Sequence, residues 1–537
     1  MIGENMIVLY ILLFVLVLAI VVCWHEYGHY FFAKKAGILV NEFAFGMGPK
    51  LISKKKGETY WSIRAIPIGG FCAMSGEEED GTQLIKVGDE VKIVLDEFGK
   101  ISKIIMKTDN PDYADLETIT VESVDLFGKD MSPLYLNQYE VNRDAVLIYS
   151  KKEEVQIAPE ERRFSSKTPW QRFFVVLGGP LNNIILALVV FLLLGFITGV
   201  ATNDPVIGDV SKDSGAALAG LSKNDKIISI DGHDINSNSD IHDVIYNANT
   251  RALEVKYERK GVTNTTTVYT QYYLQNIGIS SSLSYEDKDK LYVVVESKNA
   301  LIGTNKTRAK QDGYLENGDE IVAYSYNGSD FIELSTWEDF FKAADEMDGG
   351  SIQFKYNRIN SDGSVITEQL SGTYEVYSDH LLDSQGYSPV VKQIGISAKT
   401  TIKFFPCLLN GLKSFWKAAT IIFSTLGQLF TSKEVGVNDL GGFITILNQT
   451  ATYAAGGFAS LLYWIGLLSI NLGIINLLPI PALDGGRILF IFIEAITKKK
   501  VNPKVEAWTI NIVFWLLLGF MGYILIQDII RLVIQIK

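Results

Sequence analysis

Histidine, glutamate and histidine stand together where the first apolar run ends, as His25-Glu26-Tyr27-Gly28-His29. On a helix, residues four apart share a face, so both imidazoles can bind one metal ion while Glu26 lies close enough to polarise its water. Ionisable groups within a membrane-length run are costly, and such a cluster is a functional signal by default. Two imidazoles leave a zinc site one protein ligand short, because catalytic zinc takes three and keeps a position for water. The candidate third ligand is Asp484, which closes Asn476-Leu477-Leu478-Pro479-Ile480-Pro481-Ala482-Leu483-Asp484-Gly485-Gly486. The two prolines break the helix and leave the aspartate on irregular backbone, tolerable at membrane depth only when buried in protein or lining a cavity. Alone, Asp-Gly-Gly after a helix reads as a turn. Set at the same depth as His25 and His29, Asp484 reads as a ligand.

The elements that must hold these residues are apolar. Of 537 residues, 47% are hydrophobic, and much of that content lies in four charge-free stretches, Met6–Trp24, Phe173–Asn203, Leu440–Leu483 and Ala507–Gln527. A run of about 20 apolar residues spans a bilayer core of ~30 Å as a helix, so each stretch can hold one crossing. A simple soluble enzyme is excluded. A nucleic-acid binder is excluded as the default by a net charge of −12. The cysteines, Cys23, Cys72 and Cys407, form no C-x-x-C pair, which argues against both a disulfide framework and thiolate-bound zinc. No Lys or Arg precedes the first run and no small-residue cleavage site follows it, so it reads as a retained helix rather than a signal peptide.

Charge sets the expected orientation. Lys34 and Lys35 follow the first run, Arg162, Arg163, Lys167 and Arg172 precede the second, and Arg487, Lys498, Lys499, Lys500 and Lys504 separate the last two. The positive-inside bias then places residues 34–172 and 485–507 in the cytoplasm, with both termini and residues 201–455 outside. Phe404–Thr431 resembles a fifth span but carries Pro406, Lys413 and Lys417, with Leu412, Phe415, Trp416 and Ala419 at helical spacing. It is expected as an amphipathic helix, within 402–432, on the outer membrane surface.

Two stretches of the outer region repeat. One runs from Gly220-Leu221-Ser222-Lys223-Asn224-Asp225 through Leu253–Arg259 to Ile277-Gly278-Ile279-Ser280. The other runs from Gly313-Tyr314-Leu315-Glu316-Asn317-Gly318-Asp319 through Ser351–Arg358 to Ile394-Gly395-Ile396-Ser397. The order predicts two tandem domains, 203–282 and 288–399. The first looks like a bacterial PDZ domain, and the second is a degenerate match; such domains bind extended peptide tails by strand addition. Their alternative is a pair of β-rich spacers with blocked grooves. On the cytoplasmic side, residues 37–76 alternate as short strands bracketed by Gly46-Met47-Gly48-Pro49 and by Gly69 and Gly70, folded back towards the membrane. Residues 77–165, opened by Glu77-Glu78-Glu79-Asp80, read as an inserted β-rich domain with no activity evident in its residues.

Taken together, these motifs resemble the bacterial site-2 proteases, the zinc metalloproteases of regulated intramembrane proteolysis. The resemblance rests on His25–His29, Gly46–Pro49, Pro67–Gly70, Pro169-Trp170-Gln171-Arg172, Gly179-Pro180-x-x-Asn183, the PDZ-like repeats, Asp439-Leu440-Gly441-Gly442 and Asn471–Arg487. Phe443 departs from it, standing where the family often has proline. The fold it implies is a polytopic α-helical membrane protein with four transmembrane helices (1–36 carrying the motif, 170–202, 456–486 and 507–535). Cytoplasmic membrane-associated β elements and tandem extracytoplasmic PDZ-like α+β domains complete that fold. His25, His29 and Asp484 would hold Zn2+, with Glu26 as general base. Asn183, Asn471 and Asn476 would help hold or unwind a substrate helix, and the strands around Gly69 and Gly70 would receive it by edge pairing. Substrates would be single-span membrane proteins already shortened outside, such as anti-sigma factors and remnant signal peptides, cleaved in the bacterial cell membrane. An idle scaffold binding extracytoplasmic tails is the alternative from another class, and intact Glu26 argues against it. A metal transporter would need polar residues on more spans.

Overall fold

Glu4–Lys35 forms one 32-residue helix, α1, and the charge-free run predicts it. It ends where Gly37 takes a positive φ of 72° and the Ile38 amide turns back to the Ala33 carbonyl at 2.9 Å. This computed structural model describes all residues except 1–3, 78–84, 110, 151–152, 285–289, 296–314, 360–363, 386, 432–439, 500 and 537. Glu78-Glu79-Asp80, the Gly313-Tyr314 turn, Asp439 and Lys500 therefore lie outside the described residues. The remaining helices are α2 (Pro169–Thr198), α3 (Gly215–Leu218), α4 (Asn238–Asn247), α5 (Trp337–Asp345) and α6 (Asp379–Gln385). They continue with α7 (Phe404–Thr431), α8 (Phe443–Ala455), α9 (Phe458–Asn476), α10 (Asp484–Thr497) and α11 (Pro503–Ile536). Among the described residues four helices are long and apolar enough to cross a membrane, through Val8–Lys35, Pro169–Thr198, Phe458–Asn476 and Lys504–Ile530. Large apolar side chains such as Leu12, Leu193, Trp515 and Leu516 stand exposed on them, as a lipid-facing surface requires.

The chain divides into two compact units, residues 1–190 with 450–519, and residues 191–449 with 520–537. In the first, strands β1 (Val40–Lys56) and β2 (Thr59–Met74) fold over one another. Val40–Phe45 is flanked on one side by Tyr60–Ile63 and on the other by Gly70–Met74, which makes Gly70–Met74 an edge among the described residues. Ile38, Val40, Cys72 and Met74 pack with Ala33 of α1 and Val175 of α2, which seats this sheet on the two helices. Glu58, in the turn between the strands, pairs with Lys34 and, at 2.7 Å, with Arg162. Burial alone would raise the Glu58 carboxyl, but the bonds and charges of Lys34 and Arg162 hold it below the usual range. Residues 90–156 then form a seven-stranded sheet around Val91, Ile101, Ile104, Leu136 and Leu147, within the stretch expected as an inserted β-rich domain.

In the second unit the two repeats share a construction. Asp225 accepts from the Ser222 amide and pairs with Arg259 at 2.7 Å, while Asp319 accepts from the Glu316 amide and pairs with Arg358 at 2.7 Å. Each arginine also lies 5.1 Å from the ring of a tyrosine two residues earlier, Tyr257 or Tyr356. Their connection differs from the tandem order expected. Ile207–Val210, which opens the first copy, pairs with Ile396–Ala398, and Ile394 sits in the first core beside Ile207, Ile227 and Val255. Gln271–Leu274 pairs with Ile279–Ser281 and with Val390–Gln393, and its Tyr272 and Leu274 belong to the second core. The second copy is thus nested inside the first, and the divisions at 203–282 and 288–399 do not follow the strand pairing. Both copies end in Ile-Gly-Ile-Ser, and order along a chain cannot say which strand such a tetrapeptide will join. Helix α7 is among the elements expected. Its Phe405, Leu409, Trp416 and Phe423 are exposed along one stripe, and Cys407, Phe415 and Ala419 are buried.

Candidate metal centre

The two histidines of α1 face α2 where both helices surrender their side chains. A Cβ on Gly28 would stand 2.0 Å from the Gly178 carbonyl oxygen, and a Cβ on Gly179 would stand 2.3 Å from His29 Nε2 and 2.8 Å from His25 Cε1. Glycine at these positions is what lets the second helix lie against the imidazoles. Reciprocal hydrogen bonds lock the pair one turn away: Trp24 Nε1 donates to the Asn182 carbonyl at 2.9 Å, and Asn182 Nδ2 donates to the Trp24 carbonyl at 3.0 Å.

Asp484 arrives from a different construction. Helix α9 ends at Asn476, Leu477–Leu483 is irregular, and α10 begins at Asp484 itself. Ala482 is held at a positive φ of 82°, an uncommon conformation for a residue with a Cβ. Gly485 and Gly486 allow the first turn of α10 to close onto this loop, since added Cβ atoms would stand 2.1 Å from the Leu478 oxygen and 2.5 Å from the Ile480 oxygen. As the first helical residue, Asp484 sits where the helix dipole favours a negative charge. After it the sequence marks only the charged segment that separates the last two spans. There the chain forms the 14-residue α10, held by Arg172 of α2, whose Nη2 donates to Glu494 at 2.7 Å, and by an ion pair of Arg487 with Glu77.

Three ligand atoms converge here. His25 Nε2 and His29 Nε2 are 3.3 Å apart, and Asp484 Oδ2 lies 3.2 Å from the first and 3.5 Å from the second. Ligand atoms roughly 2.0–2.2 Å from a tetrahedral zinc stand about 3.3 Å from one another, so the donor set fits that ion in kind and in spacing. His29 Nδ1 lies 2.9 Å from the Val175 carbonyl, which can only accept, so Nδ1 carries a proton and Nε2 is the nitrogen whose lone pair a metal would take. That lone pair faces a carboxylate oxygen and a second imidazole nitrogen, an arrangement that a shared cation relieves. Both histidines are buried, while 18% of the Asp484 side chain is exposed, leaving one side of the cluster open.

The other expected residues divide. Asn183, fully buried, places Nδ2 3.4 Å from His25 Nδ1, and Asn476 places Nδ2 3.5 Å from His25 Nε2. Asn471 is not brought to the histidines: five residues before Asn476 on α9, it points about 140° away around the helix. Gly70 lies at the end of the edge strand against α1, where an added Cβ would stand 3.4 Å from Glu26 Cγ. Gly69 turns away, with Met47 as its neighbour. Two contributors escaped the sequence reading. Val175 acts through its backbone and has no residue signature, and Gly179 belongs to a quoted motif whose contact with the histidines only the packing reveals.

A metal-dependent hydrolase built on membrane-length helices is the class these features define. Residues 13–520 match Peptidase family M50. Zinc metalloprotease RasP of Bacillus licheniformis is 31% identical over 529 residues, covering 97% of this chain and 99% of that protein. Zinc metalloprotease RasP of Geobacillus kaustophilus is 30% identical over 524 residues, covering 97% of each. RasP of Oceanobacillus iheyensis is 29% identical over 534 residues, with 97% and 98% covered. The chain belongs to peptidase family M50, the site-2 proteases, and is a zinc metalloprotease of the membrane.

Proposed function

We propose that this protein is an intramembrane endopeptidase whose zinc is held by His25, His29 and Asp484 and whose general base is Glu26. The observation that carries the reading is the triangle of three acceptor atoms at 3.2–3.5 Å, closed on the histidine side by the packing of α1 against α2 and open beside Asp484. When bound, the zinc ion would polarise a scissile carbonyl and make its bound water acidic. Glu26, on the same helix and beside the Gly70 edge, would take the proton of the attacking water and return it to the leaving amine. Asn476 aims an amide donor at the same point and would hold the substrate carbonyl. The Gly70–Met74 edge would pair with the unwound substrate strand, which brings an extended backbone alongside Glu26.

The substrates would be single-span membrane proteins shortened on their outer side, of the anti-sigma factor or signal-peptide kind, with the nested β-units and both termini extracytoplasmic. These β-units would act as PDZ-like modules. In the second, Gln271–Leu274 already lies along Ile279–Ser281, so a peptide tail would be taken by the first, whose Ile396–Ala398 strand is paired on one side only among the described residues. The test compares membrane-protein fragments in cells carrying intact and Glu26→Gln protein. The variant should keep its zinc and lose at least ~100-fold in cleavage, with shortened membrane fragments accumulating. Undiminished cleavage would remove Glu26 from the mechanism.

A further inference from the structure

Asn183 sits in a position that a substrate-holding amide does not require. It is fully buried, on the face of α2 that packs against α1, and its backbone carbonyl accepts from Ser469 Oγ at 2.8 Å. Its side chain meets His25 at Nδ1, the ring nitrogen remote from Asp484 and His29. Nδ2 is the atom aimed at His25, and Oδ1 is buried with no hydrogen-bond partner among the described residues.

The chemistry of a ligating imidazole settles which end must face the ring. Nε2 of His25 points at the other two candidate ligands, so Nε2 must offer its lone pair and Nδ1 must carry the proton. A protonated Nδ1 needs an acceptor, and an amide nitrogen is a donor. The side chain of Asn183 turned by 180° supplies the acceptor: Oδ1 takes the place of Nδ2 and receives Nδ1–H, while Nδ2 moves to the place that Oδ1 held. The two ends of an amide have the same shape, so the turn needs no repacking. His29 already has the equivalent support from the Val175 carbonyl at 2.9 Å. With both supports, each histidine has an acceptor behind it and a lone pair in front.

We infer that Asn183 is a positioning residue that fixes the tautomer and orientation of His25 by accepting its Nδ1 proton, rather than a residue that touches substrate. The inference rests on the proposed ligation by His25. Partners behind metal-bound histidines typically set metal affinity by 10–100-fold.

The experiment measures zinc affinity of the purified full-length protein by chelator competition for wild type, Asn183→Leu, Asn183→Asp and His25→Ala. Asn183→Leu keeps the bulk and removes the acceptor, and should weaken binding by about 10–100-fold. Asn183→Asp restores an acceptor in the same place and should bind within about 3-fold of wild type, since carboxylates serve this role behind metal-bound histidines. Wild-type affinity in Asn183→Leu would overturn the inference. A loss of tenfold or more in Asn183→Asp would also overturn it, and that arm decides even if the leucine variant fails to fold. His25→Ala separates the two readings: if it binds zinc as wild type does, the ligation by His25 fails first.

Discussion

Gly179→Ala adds one methyl group at the point where α2 meets the imidazoles. The new Cβ would stand 2.3 Å from His29 Nε2, 2.7 Å from His29 Cε1 and 2.8 Å from His25 Cε1. Ordinary contact begins near 3.4 Å, so something must yield by about 1.1 Å. The helices cannot separate cheaply, because Gly28 and Gly178 already touch through backbone and Trp24 and Asn182 bond across the same seam. The His29 ring cannot retreat without giving up its bond to Val175. The strain therefore falls on the imidazoles, and a misplacement of about 1 Å at a reacting centre costs on the order of 100-fold in rate. We expect Gly179→Ala to weaken zinc binding at least tenfold and to lower cleavage by about 100-fold, measured by chelator competition and by turnover of a single-span substrate in detergent. Gly519→Ala is the control: beyond the backbone of its own helix no atom of the described residues lies within 4 Å of its added Cβ, and alanine in a helix is favoured over glycine by about 1 kcal/mol. Wild-type zinc affinity and turnover in Gly179→Ala would refute the packing argument.

Other consequences can be checked independently. Burial lowers the pKa of Lys392, whose Nζ donates to the Ala248 carbonyl, from 10.5 to about 8. Between those values the unfolded chain binds a proton that the folded chain does not, so stability of the β-units should rise as pH goes from 8 to 10. The penalty is fully present below pH 8, and thermal melts of Lys392→Met should lack this part of the slope; a slope equal to wild type would contradict it. In a background lacking Cys23, Cys72 and Cys407, a cysteine at Ser397 should react with a membrane-impermeant reagent from outside, and one at Lys55 only after permeabilisation. The reverse pattern would invert the proposed topology.

What the chain discloses about itself depends on how local each feature is. His25 and His29 are legible because helical periodicity alone brings them to one face with Glu26 adjacent, and the four spans because apolar length is a property of a segment. Asp484, 459 residues after His25, was reachable only through the matching depth of two membrane runs. Helix α10 was missed because Gly485 and Gly486 disfavour a helix by propensity, while the close approach to Leu478 and Ile480 that requires them is tertiary. The nesting of the β-units was hidden for a related reason. Ile277-Gly278-Ile279-Ser280 and Ile394-Gly395-Ile396-Ser397 are alike, and only strand pairing decides that Ile396–Ala398 returns to Ile207–Val210. Asn183 and Asn471 looked equivalent as intramembrane amides, yet helix phase brings one to His25 and carries the other away.

The proposed centre is a single zinc ion shared by His25, His29 and Asp484, and zinc stoichiometry measured on purified wild type and Asp484→Asn tests it most directly. A neutral amide is a poor ligand beside a carboxylate, so wild type should carry about one zinc per chain and Asp484→Asn, dialysed in parallel, should lose most of it. Full zinc retained by Asp484→Asn would contradict the three-ligand centre.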